Sequence, residues 1–474
     1  MLLATVLGSG MAFLDGTVVN VALPTIGRDL DASLADLQWT VNGYTLSIAA
    51  LILVGGSLGD RFGRRRVYVI GVVWFAVASA LCALAPTIEV LIAARVLQGV
   101  GGALLTPGAL AILQASFHPD DRARAIGAWS GMTGVASAIG PLIGGWLVEN
   151  TSWRWIFLIN LPLAAAVLWA ARHVPESRDD RASRRFDLPG AALGALALAA
   201  STYALIEATD SGLATPVVVA VVVAVAAAVG FVVVERRVSD PMLPLGIFAN
   251  RQFSAVNIVT FCVYAAIGSV FFFVVVNLQI VSGYSPITSG LAMVPVTVLM
   301  LLLSARAGEL AQRIGPRLPM TVGPLLAAAG LVLLSRVGAD ADYWSAVMPG
   351  AVLFGLGLSA TVAPLTAAVL GALEVRHSGL ASGVNNAVAR AAGLLSIAAL
   401  PLIVGLSGSD YAVPEAFSEG YELAMLICAG LLVLGAALAA VLVRNTVQAA
   451  EERPPGRFCG VEAPPLEATR SVDR

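Results

Sequence analysis

The chain has 474 residues, 58% of them hydrophobic and only 12% charged, with a mean hydropathy of +0.86. Soluble domains carry about 25% charged residues, so this composition describes a polytopic membrane protein. All 28 basic residues are arginine; the absence of lysine excludes a P-loop ATPase and any Schiff-base cofactor, and a net charge of −2 offers nothing to a nucleic acid.

A spanning helix needs about 20 apolar residues. That rule gives fourteen segments, at 2–24, 41–59, 67–85, 88–113, 125–147, 154–172, 188–208, 214–234, 254–281, 288–305, 319–337, 345–371, 380–405 and 421–443. The first run continues through Asp15 to Pro24 without a basic leader, so it is a spanning helix and not a signal peptide. It begins at Met1 with no polar residues before it, and a start site a few residues upstream is expected. Fourteen spans put both termini on one side. Arg61, Arg64, Arg65, Arg66, Arg122, Arg124 and the cluster from Arg172 to Arg185 fall in loops on that side, against Arg28, Arg154 and Arg336 on the other. Cytoplasmic loops collect positive charge, so both termini are expected in the cytoplasm of a cell that holds this protein in its plasma (inner) membrane.

The expected architecture is all-α. A six-helix half covers 1–174, two inserted helices with their loops cover 175–240, a second six-helix half covers 241–443, and 444–474 form a charged, proline-bearing tail expected to be disordered. The halves repeat. Gly308, Leu310, Arg313, Gly315 and Arg317 answer Gly56, Leu58, Arg61, Gly63 and Arg65 at one offset, with Gln312 in place of Asp60. Gly99, Gly101 and Gly127 answer Gly355, Gly357 and Gly383. Internal repeats with a site between them mark secondary transporters.

Cys82, Cys262, Cys428 and Cys459 show no CxxC spacing, and three of them lie in apolar runs, so no disulfide is expected. The three histidines form no metal-binding pattern, and no cofactor is expected. Gly55–Gly59 fits GxSxG, yet the serine ends a spanning helix with no preceding strand, so it is not a hydrolase elbow. Enzyme and sensor readings both lack support: no nucleophile–base set and no soluble domain is evident.

Charges inside the bilayer are the functional candidates. At 1.5 Å per residue, Asp15 lies roughly 20 Å up the core from the cytoplasmic side and Arg95 roughly 10 Å below the outer surface, which is the same depth. Arg390 lies roughly 18 Å up. Burial penalises a carboxylate's charge and a neighbouring guanidinium restores it, so Asp15 with Arg95 is the expected proton-coupling pair. A permanent pair that only joins helices is the alternative. Asn386 and Arg390 share a helix face at i,i+4; with Asn385, Asn277 and Gln279 they could line a substrate cavity or merely bond helices together. Tyr264, Phe271, Phe272, Phe273 and Trp129 could form its apolar wall or simply pack. Asp60, at the end of one segment, is expected to face the start of the helix opened by His377-Ser378-Gly379, where the helix dipole favours an acid. Gly56, Asp60, Arg61, Gly63 and Arg64 would then latch one conformation; a plain topology loop is the alternative.

Several stretches together resemble the major facilitator superfamily, in particular its fourteen-helix drug:proton antiporter branch. LDGTVVNVALP (Leu14–Pro24) resembles that branch's first-helix signature, and GSLGDRFGRRR (Gly56–Arg66) the superfamily's loop motif. RVLQGVGGA (Arg95–Ala103) and GPLIGG (Gly140–Gly145) resemble its motifs in the fourth and fifth helices, while QWTVNGYTL and WRWIFLINLP add branch-specific likeness. The resemblance covers nearly all of the first half and is weaker in the second. It implies Gly140, Pro141, Gly144 and Gly145 as an antiporter helix bend in close contact between halves. It also implies proton-driven export of drugs or antibiotics by alternating access. The residues alone imply only a small amphipathic substrate; protons and the lipid bilayer are its expected companions, and the chain is expected to act as a monomer. Arg390, with no acid in 287–304, leans the reading towards neutral or anionic compounds. A metabolite permease of the same fold is the second reading.

Overall fold

Backbone amides find no water in hydrocarbon, so long apolar runs must close their hydrogen bonds within the segment, as helices. The computed structural model describes residues 1–116, 119–178, 187–238, 241–373, 378–407, 410 and 413–445. Residue 377, the side chains at 127, 131 and 378–380, and the tail from 446 lie outside that description. With them go the helix start expected to face Asp60 and the expected disorder of the tail.

Among the described residues the chain runs from helix to helix with no strand. In the first part come α1 (Leu2–Asp29), α2 (Leu34–Phe62), α3 (Arg64–Ala83), α4 (Ile88–Ser116), α5 (Pro119–Asn150), α6 (Trp155–Leu158) and α7 (Asn160–Ala171). Then follow α8 (Leu188–Ser211) and α9 (Thr215–Arg237). The last part holds α10 (Arg251–Ile280), α11 (Pro286–Ala292), α12 (Val294–Ile314), α13 (Arg317–Leu334), α14 (Met348–Gly371), α15 (Ser378–Val404) and α16 (Pro414–Leu442). Every expected segment coincides with one helix or an adjacent pair. Eleven helices among the described residues are long and apolar enough to cross a bilayer. The two parts of α2, bent by 49°, make a twelfth if taken together. The segments at 125–147 and 154–172 fall outside that count: α5 is only partly described, and α6–α7 is short and broken.

Two bundles share one plan. In the first, α4 packs on α2 and α3, α1 on α5 and α7, and α3 on α7; in the second, α14 packs on α12 and α13, α10 on α15 and α16, and α13 on α16. Matching glycines allow matching contacts. A side chain on Gly101 would come within 2.7 Å of the Phe75 backbone on α3, and one on Gly357 would collide with the Ala327 backbone on α13. Backbones approach this closely only where the residue is small. The inserted α8 and α9 pack on each other, and α8 also contacts both α2 and α15, across the seam between the bundles.

The arginine-rich loop is built the same way twice. Gly63 (φ +106°) separates α2 from α3, and Gly315 (φ +88°) separates α12 from α13. Glu176, just beyond α7, accepts hydrogen bonds from the Arg65 and Arg66 backbone N–H groups at 3.0 and 3.1 Å. Asn445, just beyond α16, accepts one from the Arg317 N–H at 3.1 Å. A side chain at either glycine would strike the capping residue. The repeated glycine therefore serves both the positive φ and the cap.

The bundles meet at the end remote from these loops. Gln38 on α2 donates to the Ile397 carbonyl on α15 at 2.6 Å, and Gln279 on α10 donates to the Val21 carbonyl on α1 at 2.9 Å. The Ile287 N–H donates to the Glu149 carboxylate at 3.3 Å. A Cβ on Gly145 would lie 2.6 Å from Ile287 Cα, and one on Gly290 would lie 2.5 Å from the Pro141 carbonyl.

Candidate functional site

Asp15 is fully buried on α1 and Arg95 on α4 is 1% exposed. The Arg95 Nη1 donates to Asp15 Oδ2 at 2.5 Å. The other carboxylate oxygen accepts from Gln98 Nε2 at 2.8 Å and from Asn160 Nδ2 at 2.9 Å. Gln98 and Asn160 also donate to Ser79 Oγ, at 2.8 and 3.2 Å. Arg95 is held on its far side by the Thr40 carbonyl at 3.1 Å and lies over the Tyr44 ring, 4.2 Å from its centre. Five helices, α1, α2, α3, α4 and α7, thus converge on one carboxylate.

Both oxygens of Asp15 face N–H donors. An ionised carboxylate only accepts, so this set matches the charged form. Three N–H groups fill three of the carboxylate's roughly four acceptor positions. Breaking a buried pair by removing one partner costs about 3–5 kcal/mol, so parting Arg95 from Asp15 needs a compensating rearrangement.

Tyr44 and Arg95 also line a cavity of ≈ 230 Å³ with Asn20, Thr45, Thr106 and Arg390. A neighbouring cavity of ≈ 320 Å³ shares Gly16, Thr17, Asn20, Val41, Thr45 and Arg390, and adds Tyr264 and Phe271 from α10. The two lobes lie side by side between the bundles, along α1 from Val21 to Ala12, towards the arginine-rich end. Asp15 sits one side chain behind its wall.

Of the residues expected to line a substrate cavity, Arg390 does so. The other four turn elsewhere. Asn277 donates to the Val337 carbonyl, Gln279 joins Val21 and Ser289, and Asn385 donates to Asn257 and Thr260. Asn386 is exposed and bonds its own helix at Ser382. Tyr264 and Phe271 reach the cavity wall, whereas Phe272 and Phe273 are buried away from it, with Phe273 stacked on Phe417. Trp129 donates to Ser9 on α1 instead.

In the loop, Arg64 grips Asp60 at 2.8 Å, one turn away. Asp60 therefore has a partner on its own side. In the GPLIGG stretch, α5 continues unbroken through Pro141. Gly140 and Gly144 press on Thr17 and Val18 of α1, within the same bundle; Gly145 and Pro141 make the contact across the bundles. The expected contact between halves thus belongs to two of those four residues.

The readings from sequence missed Gln98, Asn160, Ser79 and Tyr44. Three of them stand in the quoted stretches RVLQGVGGA, WRWIFLINLP and QWTVNGYTL. An amide at the depth of Asp15 was the available signal. No group of three or more metal-ligating side chains occurs among the described residues.

Residues 5–306 and 256–471 match the family model of the Major Facilitator Superfamily. The puromycin resistance protein pur8 of Streptomyces alboniger is 36% identical over 457 residues, covering 93% of this chain and 90% of that protein. The tetracenomycin C resistance and export protein of Streptomyces glaucescens is 37% identical, covering 88% of this chain and 78% of that protein. Among solved structures, a bacterial homologue of the human lysosomal transporter Spinster, inward-facing and unoccupied, aligns with a TM-score of 0.68 at 17% identity, over 93% of this chain and 96% of that one. That likeness concerns the fold alone. The chain belongs to the Major Facilitator Superfamily and is a transporter, not an enzyme.

Proposed function

We propose that the protein exports small amphipathic drugs or antibiotics from the cytoplasm in exchange for protons, by alternating access between its two bundles. It works as a monomer in the plasma membrane, with both termini in the cytoplasm. The observation that carries this reading is the Asp15–Arg95 pair, buried directly behind the wall of the cavity between the bundles. The bundles touch at the end remote from the arginine loops, and positive-inside topology assigns that end to the outside. The arrangement then suits loading from the cytoplasm. Antibiotic-resistance and export relatives support efflux as the direction.

Asp15 receives the proton. Arg95 and Tyr44 separate it from the cavity, so a shift of the α4 side chain towards the cavity would free the carboxylate and admit a proton from the outside. Return of Arg95 would expel it inwards. The drive is the proton gradient and membrane potential, the latter about 2.3 kcal/mol per charge per 100 mV; no nucleotide is used.

Purified protein in proteoliposomes loaded with the pH dye pyranine tests the exchange. Addition of puromycin, tetracenomycin C or methylenomycin A, one at a time, is expected to move protons opposite to the drug for at least one of them. Drug movement without proton movement across the whole panel would contradict the coupling.

A further inference from the structure

The cavity between the bundles holds a cation with nothing to balance it. Arg390 lines both lobes, and among the described residues it makes no hydrogen bond and no ion pair. The ionisable groups that line the two lobes with it are the phenols Tyr44 on α2 and Tyr264 on α10, and Arg95, whose charge Asp15 already offsets. No aspartate or glutamate lines either lobe. Asp15 lies behind Arg95, with both oxygens already engaged. Arg390 is half-buried, so its charge is only partly hydrated, and it lines the space between the bundles. Phe271, Ile267 and Met293 make an apolar wall on the side of the second bundle, and Thr17, Thr45, Thr106 and Thr297 add hydroxyls elsewhere. Asn20 adds a buried amide oxygen with no partner, an acceptor for a hydroxyl or N–H.

We propose that Arg390 is the specificity-determining residue of this cavity and selects an acidic amphipath. The ligand carries a single carboxylate or ionised phenol for the guanidinium, an aromatic or aliphatic body for the Phe271 wall, and a hydroxyl or N–H for Asn20. A cationic compound of the same shape meets Arg390 and finds no acid to offset it. This deepens the export reading, on which it rests only for the word substrate; the binding preference stands or falls without any gradient.

The test uses the purified full chain in detergent and three probes on one frame: 1-pyrenebutyrate, its methyl ester and 1-pyrenebutylamine. For the unaltered protein the carboxylate is expected to bind about tenfold or more tighter than the amine, with the ester between them. Arg390→Gln should abolish that preference while leaving ester binding within about twofold. Arg390→Lys, which keeps the charge and loses the fork, should retain part of it. If Arg390→Gln does not fold, the ratio for the unaltered protein and Arg390→Lys decides. An amine bound as tightly as the carboxylate, or a preference untouched by Arg390→Gln, overturns the proposal. Proton-driven uptake measured separately distinguishes failure of this inference from failure of the export reading.

Discussion

Arg95 reaches Asp15 at 2.5 Å, with both side chains buried and with Gln98, Asn160 and the Thr40 carbonyl holding the pair from its other sides. Such a contact fixes α4 against α1 and places a titratable group at the centre of the first bundle. Arg95 also lines the cavity, so the pair lies directly behind the surface that a ligand would meet. In the proposed exchange, structure and coupling would depend on the same bond.

Arg95→Ala should be far more damaging than Arg95→Lys. Alanine leaves a buried carboxylate uncompensated, a loss of about 3–5 kcal/mol, and removes the stack on Tyr44. Lysine keeps the charge but cannot serve Thr40 and Asp15 together in fork geometry. Loss of transport with reduced thermal stability is expected for alanine, and partial transport for lysine. Thermal unfolding and the pH profile of transport check this; two unchanged profiles would mean that the pair has no part in coupling.

The depth of these charges was legible because helix rise is constant. Counting residues from each surface put Asp15 and Arg95 at one level, and they touch. The two-bundle plan was equally legible in the arginine loops and the repeated glycines. Rotation about the helix axis was not. Asn277 and Gln279 sit on α10, a helix buried on most sides, and a helix that is apolar all round gives no sign of which face looks inward. Asn277 consequently ties α10 to the chain before α14, and the cavity wall falls to Tyr264 and Phe271. Glu176 as the cap of α3 was invisible for another reason: it acts on residues more than a hundred positions away, and no local pattern marks it.

Gly145 offers a test of the closed end. A valine there would push against the Ile287 backbone, across the bundles. Gly145→Val should hold that end open, raising the labelling rate of a single cysteine placed near Glu149 and stopping transport at near-normal protein yield. Gly140→Val, which strikes Thr17 within one bundle, should lower yield instead. Equal effects of the two substitutions would remove the distinction.

The two loops should respond unequally. Asp60 is partly exposed and paired with Arg64; such a surface pair contributes about 0.2–1 kcal/mol, so Asp60→Asn should leave thermal stability nearly unchanged. If Asp60 also meets a helix N-terminus in the outward-open state, its loss removes up to about 2 kcal/mol there and slows turnover. Gln312, exposed and uncharged, should tolerate alanine. Cysteine accessibility on the two sides of the cavity gives the readout. Matching shifts for Asp60→Asn and Gln312→Ala would reduce the loop to a topology signal.

The central claim is that Asp15 carries the proton. In proteoliposomes, Asp15→Asn should lose accumulation of drug driven by a pH gradient, yet keep exchange of labelled for unlabelled drug when no gradient is present. Asparagine preserves the shape and one acceptor for the surrounding donors, so exchange reports an intact cavity. Gradient-driven accumulation by Asp15→Asn at the level of the unaltered protein would contradict the account.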